Sequence, residues 1–148
     1  RVARRLFSNN NLDKKLLVND FVASSVFIPL EYAFVGLSNE MAEVKYGKDM
    51  FETYHSYFTP IEWKITQRRP NQCYCKILVN ISDDTVIGLH LLSPNAGEII
   101  SGYALAINLG LKRKQLIESL AVHPTISETI HKLETSLSSG AAASEANC

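Results

Sequence analysis

The chain has 148 residues, of which 46% are hydrophobic and 20% are charged, which is enough apolar material for one packed domain and excludes a wholly disordered chain. Fifteen basic residues balance fifteen acidic ones, so the net charge of zero predicts neither nucleic acid nor a membrane surface as a partner. The chain has only three cysteines and no apolar run of the roughly 18 residues that a membrane helix needs. We expect a reducing compartment, the cytoplasm or the mitochondrion, and no membrane span.

The amino-terminal end has the features of a segment that continues from an earlier domain. Residue 1 is arginine rather than methionine, so we expect the chain to be a piece of a longer polypeptide. Residues 2–7 have the composition of the last turns of a helix, and the asparagines at 9–11 would stop it. We assign residues 1–20 to the end of that preceding helix and a linker.

The next part of the chain carries the strand signals. Residues 21–37 are largely apolar, β-branched and aromatic, which predicts one strand with a bulge or edge position at Pro29. Ser38 and Gly47 then bracket a short helix, as its amino-terminal cap and its stop. Three further strands are predicted at residues 50–63, 73–80 and 85–92.

The carboxyl-terminal part is mainly helical. Asn95 and Glu98 have the spacing of a capping box and predict the start of a helix that runs to about Gly110. That helix is apolar on almost every side, so we expect the sheet to cover one face and a second surface to cover the other. Two short helices at residues 112–120 and 125–137 and an irregular tail at 138–148 complete the chain.

The order of these elements predicts the fold class. Strands come first and in succession, and helices follow at the carboxyl end, which indicates an α+β domain rather than alternating parallel units. We expect an antiparallel β-sheet of four to five strands flanked by helices. This domain would occupy residues 21–137, with residues 138–148 as a flexible carboxyl-terminal tail.

The most informative chemical pattern is His123-Pro124 followed by Glu128. Pro124 keeps His123 out of helical geometry, so the imidazole projects ahead of a helix that begins near Thr125. A histidine titrates near neutrality, and a nearby carboxylate can fix its tautomer, as a proton shuttle requires. The spacing from Thr125 to Glu128 is also that of a capping box, in which Glu128 would bond the Thr125 amide and leave His123 as a surface turn residue. Both interpretations stay open, although spacing alone favours the capping box, because such boxes are common and acid/base pairs are rare.

The cysteines and the other histidines give weaker signals. Cys73 and Cys75 are two residues apart in a predicted strand, which is neither a redox CxxC nor half of a zinc site, so we expect structural thiols. His55 and His90 lie in apolar strands without clustered ligands, so we assign no metal. Cys148 ends the predicted tail and can swing, although a lone thiol needs a partner thiol to cycle through a disulfide.

Several motifs together give the chain a resemblance to a known family over nearly its whole length. They are residues 26–32 (VFIPLEY), 36–38 (GLS), 54–63 (YHSYFTPIEW), 93–98 (SPNAGE) and 123–125 (HPT) with Glu128. With these motifs the chain resembles the carboxyl-terminal interface domain of the high-molecular-weight thioredoxin reductases, within the pyridine nucleotide-disulfide oxidoreductases. Residues 54–63 and CYCK at 73–76 are more similar to that branch, including its glutaredoxin-fused form, than to glutathione reductase.

The resemblance implies a homodimeric enzyme that uses FAD and NADPH, bound mainly by domains outside this chain, to reduce thioredoxin or another disulfide substrate. It implies that His123 and Glu128 are the acid/base pair at the partner subunit's redox centre, with His123 and Pro124 beside the flavin. It also implies that Cys148 is the first member of a mobile redox pair, completed by cysteine or selenocysteine. Residues 1–20 would then end the FAD domain, and the fragment alone would be inactive.

Two other functions are compatible with these residues. One is a non-catalytic α+β dimerisation module in which Glu128 serves only as a helix cap. The other is the corresponding domain of a different family member, such as a glutathione reductase. Replacing Glu128 by glutamine separates catalysis from capping, because glutamine still caps a helix but cannot stabilise an imidazolium by charge.

Overall fold

A computed structural model describes residues 21–69 and 72–146. The helix predicted at residues 2–7, the linker up to residue 20 and Cys148 lie outside the described residues. The strands are β1 (Ser24–Val26), β2 (Tyr32–Gly36), β3 (Phe51–Phe58), β4 (Cys73–Asn80), β5 (Val86–Leu92) and β6 (Ser144–Ala146). The helices are α1 (Asn39–Tyr46), α2 (Ile61–Ile65), α3 (Ala96–Asn108), α4 (Arg113–Glu118) and α5 (Ile126–His131), with a short 3-10 turn at Leu137–Ser139.

The strands form one sheet in the order β1-β2-β5-β4-β3-β6. Every neighbouring pair is antiparallel except β3 and β6, which run parallel. The α+β class and the antiparallel sheet are therefore confirmed, with five antiparallel strands among the described residues. The prediction of an irregular tail is wrong for the three residues of β6, because they pair with the edge of β3. No local pattern in the sequence indicates that pairing.

The prediction of a single strand over residues 21–37 is wrong. β1 and β2 are separate strands that pair with each other, with Val26 opposite Tyr32, and Pro29 lies in the reversal between them. A proline has no N–H to donate and a fixed φ, so it suits a reversal better than a paired position within a strand.

Two other predicted elements end earlier than expected. β3 ends at Phe58, and Pro60 precedes the short helix α2 where the prediction continued the strand. The helix predicted at residues 125–137 ends at His131, after which the chain returns to the sheet through a hydrogen bond from an amide of β3 to the Thr135 carbonyl. After His131, contact with the sheet thus overrides the helical pattern.

The two predicted helix caps have different outcomes. Ser38 Oγ accepts a hydrogen bond from the Met41 amide at 3.2 Å, which confirms the cap of α1. Asn95 instead adopts a left-handed backbone with φ of 57° and makes no side-chain cap bond, so the capping box predicted there is wrong. The Gly97 amide donates to Oε2 of Glu31 at 3.1 Å, a contact between distant parts of the sequence that replaces the expected one.

The main hydrophobic core lies between one face of the sheet and the helices of the carboxyl-terminal half. α3 packs on β2 and β5, and α5 packs on β4. The largest fully buried side chains of this core include Val35, Phe58, Cys73, Ile77, Leu89, Leu91, Ile100, Ile130 and Leu133. α1 covers part of the opposite sheet face, where Ala42 packs with Leu78.

Helix α3 is covered on one side only. Ile100 and Ile107 are buried against the sheet, whereas Leu105 and Leu109 on the other side are exposed. The sheet therefore covers one side of this apolar helix and leaves the other side exposed. In the described part of the chain, no helix combines the length and the apolar character that a membrane crossing requires.

Candidate acid/base site

His123 and Pro124 lie in the loop that joins α4 to α5, and the peptide bond between them is cis. Thr125 closes this loop through its hydroxyl. Its Oγ1 accepts a hydrogen bond from the Glu128 amide at 3.3 Å and donates one to the Val122 carbonyl at 2.7 Å. These two bonds fix the start of α5, and with it the position of Glu128 in the first turn.

His123 and Glu128 are in direct contact. Nδ1 of His123 lies 2.7 Å from Oε2 of Glu128. The Glu128 side chain is only 11% exposed, whereas that of His123 is 62% exposed. The carboxylate is thus held against the protein and binds one edge of the ring, which leaves Nε2 as the nitrogen that can exchange a proton with a molecule outside this chain.

The geometry favours this pair over the alternative of a simple capping box. Thr125 does cap the helix, as that alternative requires. Glu128, however, directs its carboxylate to His123 and Lys132. In a capping box the carboxylate would turn back to the Thr125 amide. A cap alone therefore does not describe the contacts of Glu128.

Lys132 is the second partner of Glu128. It lies four residues later on α5, and its Nζ contacts Oε1 while Oε2 faces His123. The hydrogen bonds from Lys132 and from His123 hold the pKa of Glu128 below its usual value, against the opposing effect of desolvation. The group is therefore a carboxylate at neutral pH and can stabilise an imidazolium. The sequence analysis missed Lys132, although the Glu-to-Lys spacing of four is a recognisable helix signal.

His131 belongs to a separate hydrogen-bonded cluster that links three helices. Its Nε2 lies 2.8 Å from the Tyr103 hydroxyl on α3, and its Nδ1 lies 3.0 Å from Oγ of Ser119 at the end of α4. Burial raises the pKa of Tyr103 to about 12, so its hydroxyl stays neutral. Because both ring nitrogens are engaged, His131 has a structural position rather than a free proton-exchanging edge.

The other predicted residues of the described range lie in the strands of the sheet. Cys73 and Cys75 are free thiols buried on the same face of β4, and burial raises the pKa of Cys73 to about 12 and also raises that of Cys75. His55 and His90 are buried in the sheet, each with Nδ1 at hydrogen-bond distance from a tyrosine hydroxyl. These four side chains are packed within the fold.

In the native full-length protein, we expect Cys73 and Cys75 to react with iodoacetamide at pH 8 more than about 100-fold more slowly than after denaturation. Only the thiolate attacks the reagent, and burial keeps both groups protonated. Isotope-coded alkylation read by mass spectrometry gives the rate of each cysteine separately. Native rates within tenfold of the denatured ones would contradict the burial described here.

Apolar side chains are exposed in the loop that carries the imidazole. Leu120 is fully exposed and Val122 is 75% exposed. Ile117 on the preceding helix is also exposed. Exposed apolar side chains of this kind mark contact surfaces, so the imidazole lies in a surface suited to contact with another protein molecule.

The described residues could contact the edge of a cofactor, but they do not form a site that encloses one. His123 and Pro124 are exposed together at the tip of the loop. Binding the phosphates of a dinucleotide takes a glycine-rich turn directly before a helix. In residues 21–69 and 72–146 the glycines occur singly, so this part of the chain offers a side-chain contact only.

The sequence of this domain matches a known family of proteins. Residues 22–134 match the family described as pyridine nucleotide-disulphide oxidoreductase, dimerisation domain. The chain belongs to this family of dimerisation domains, which confirms the resemblance drawn from its motifs. Thioredoxin reductase SEP1 of Emiliania huxleyi is 38% identical to it over 148 residues, which cover 99% of this chain and 29% of that protein. The chain thus spans less than a third of this relative.

Proposed function

We propose that this chain is the carboxyl-terminal dimerisation domain of an NADPH- and FAD-dependent thioredoxin-disulfide reductase, and that it supplies His123 and Glu128 to the redox centre of the partner subunit in a homodimer. The observation that carries the proposal is the contact of 2.7 Å between Nδ1 and Oε2, on a ring that is 62% exposed. A catalytic imidazole needs an ordered edge and an open edge, and this one has both.

Reduction of a disulfide consumes two electrons and two protons and yields two thiols. When bound, FAD and NADPH supply the two electrons. As an imidazolium, His123 donates a proton from Nε2 to the thiolate that leaves when the sulfur–sulfur bond breaks, and it takes a replacement proton from solvent. As a neutral imidazole it accepts a thiol proton in the reverse direction. Glu128 holds the ring and stabilises its charged form throughout.

The exposed apolar surface supports placing this pair at a subunit boundary. Leu120 and Val122 flank His123, and Leu105 and Leu109 form the uncovered side of α3. A second copy that covers these side chains would bury them and bring its own redox centre to the ring. Pro124 would then lie beside His123 against the partner's cofactor.

The course of the tail supports a redox role for Cys148. β6 runs parallel to β3, with Ala146 opposite Phe58. Phe58 lines a small cleft together with Pro124 and Thr125, so the tail is directed toward the loop of the acid/base pair. Cys148 follows Ala146 by two residues in the sequence. It would relay electrons to thioredoxin or another disulfide substrate with a second thiol or selenol.

In the whole reductase, this chain and the other domains would have different roles. The described residues supply a proton-exchanging side chain and no dinucleotide cradle, so we expect the isolated chain to be inactive. The FAD- and NADPH-binding regions would precede residues 21–137, with residues 1–20 as the connection. We place the enzyme in the cytoplasm or the mitochondrion.

Replacing Glu128 by glutamine in the full-length enzyme should lower kcat/KM for disulfide reduction by roughly tenfold and displace the limb of the pH–rate profile near neutrality. Glutamine keeps a hydrogen-bond acceptor beside His123 but removes the negative charge. Steady-state rates between pH 5 and pH 9 test this. An unchanged profile would favour the non-catalytic dimerisation module.

The same variant has a second, pH-dependent effect on stability. The pKa of Glu128 is lowered in the fold, so its ionised form stabilises the protein above the ordinary carboxyl pKa, and that contribution is lost as the pH falls through the lowered value. The difference in melting temperature from the unsubstituted enzyme should therefore be largest at neutral pH and should vanish in acid.

A further inference from the structure

Lys132 binds the oxygen of Glu128 that His123 leaves free. Its Nζ contacts Oε1, while Oε2 lies 2.7 Å from Nδ1 of His123. A carboxylate held at both oxygens cannot rotate about its last bond without breaking one of the two contacts. Lys132 therefore restrains the carboxylate in the plane in which Oε2 meets the imidazole.

This ion pair differs from an ordinary surface pair in its burial. The Glu128 side chain is 11% exposed and that of Lys132 is 49% exposed. Lys114 and Glu118 on α4 form a pair with the same spacing of four, but they are 3.8 Å apart and their side chains are 77% and 64% exposed. Solvent screens the pair on α4 far more, so the pair on α5 is the one with a measurable orienting effect.

Four other charged or titratable groups lie near the loop. The Arg113 guanidinium on α4 lies 3.8 Å from the centre of the Tyr54 ring and donates to a backbone carbonyl at 3.1 Å. Tyr103 on α3 and His131 on α5 bond to each other. Glu62 on α2 lines the cleft beside Pro124. Within residues 21–69 and 72–146, the ion pairs of Glu128 are those with His123 and Lys132.

We propose that Lys132 is a positioning residue of the acid/base pair, whose ammonium group holds the Glu128 carboxylate in the orientation that binds and aligns the His123 ring. This inference rests on the proposed function, because it assigns Lys132 to the reaction that His123 would perform. Lys132 acts through Glu128 and touches no reacting atom itself. It extends the pair to a chain of three side chains, from His123 through Glu128 to Lys132.

The test uses the full-length reductase with Lys132→Met, which removes the charge and keeps most of the side-chain length. We expect kcat/KM to fall roughly threefold to tenfold. We also expect the acid limb of the pH–rate profile to move to higher pH, because Glu128 loses the strongest contact that favours its ionised form. Lys132→Arg keeps the cation and should restore both properties.

Lys114→Met is the matched control, since it removes the exposed pair of the same spacing and should leave rate and profile unchanged. Melting temperatures of the variants between pH 3 and pH 7 give a readout that does not depend on activity. Lys132→Met should lower the melting temperature near neutral pH and approach the unsubstituted protein in acid, whereas Lys114→Met should show no such trend.

The outcomes separate the two proposals. Suppose that Lys132→Met has the same acid limb as the Lys114→Met control and that the His123→Ala enzyme is inactive. That result overturns the role of Lys132 and leaves the proposed function in place. Equal behaviour of the Met and Arg variants overturns it as well. Full activity of His123→Ala refutes the proposed function, and with it the reaction that Lys132 would serve.

Discussion

If the proposed function is correct, replacing His123 by alanine in the full-length protein should lower kcat/KM for disulfide reduction by about 10²- to 10⁴-fold, the contribution of a positioned general acid/base. Without the ring, the leaving thiolate must take its proton from solvent at the moment the sulfur–sulfur bond breaks. Because the His123 side chain is 62% exposed and packs little, the substitution should leave folding intact. Steady-state reduction of thioredoxin, with a melting curve of the same preparation, separates the two effects.

The control for the loss of activity in His123→Ala is a substitution of His131, the histidine at the end of α5. His131 is held by Tyr103 and Ser119 and lies outside the pair, so His131→Asn should keep most of the activity. Acceleration of the His123→Ala enzyme by added imidazole would further show that the missing group is a proton carrier. A rate within threefold of the unsubstituted enzyme would contradict the acid/base role.

Replacing Gly88 by alanine should destabilise the protein by about 3 kcal/mol, a value at the severe end for one added methyl group. Gly36 and Gly88 face each other across β2 and β5. A Cβ at Gly88 would overlap the carbonyl oxygen of Leu37, which is main chain and cannot turn away. Gly36 has φ of 84°, a conformation that favours glycine, and a Cβ there would overlap the main chain of Ile87.

The expected result is a drop in melting temperature of about 10 °C, or loss of soluble protein, in Gly88→Ala. Gly102 is the matched control, because it lies in α3 with open space around its Cβ position. Gly102→Ala should raise stability by up to about 1 kcal/mol, since alanine favours a helix. Gly88→Ala melting within 2 °C of the unsubstituted protein would show that the two strands are less closely packed than described.

Local sequence patterns predicted the elements whose signals are themselves local. β4 has the predicted bounds, because its alternation records one buried face, and α1 follows from Ser38 as cap and Gly47 as stop. The short strand β6 pairs with β3, which is far away in the sequence, and no local pattern in β6 indicates that partner. The reversal at Pro29 joins the neighbouring strands β1 and β2, and the continuous apolar composition of residues 21–37 does not reveal it.

In the candidate site, too, the local sequence predicted only part of what the structure shows. The spacing of His123 and Glu128 suggested a pair, but on spacing alone Thr125 and Glu128 favoured a helix cap, because capping boxes are common. Only the three-dimensional path of the loop decides where the carboxylate points, and it points to His123 and Lys132. The burial of Glu128 against an exposed ring is likewise a property of the packed loop rather than of the residue types.

The measurement that tests the central claim most directly is the activity of hybrid dimers. One subunit carries His123→Ala, and the other keeps His123 but has the redox cysteines of its flavin domain replaced by serine. If the acid/base pair serves the partner subunit, each hybrid contains one complete centre, and mixing two inactive parents restores a substantial fraction of the activity. If each ring serves its own subunit, the hybrids contain no complete centre, and the mixture stays as inactive as its parents.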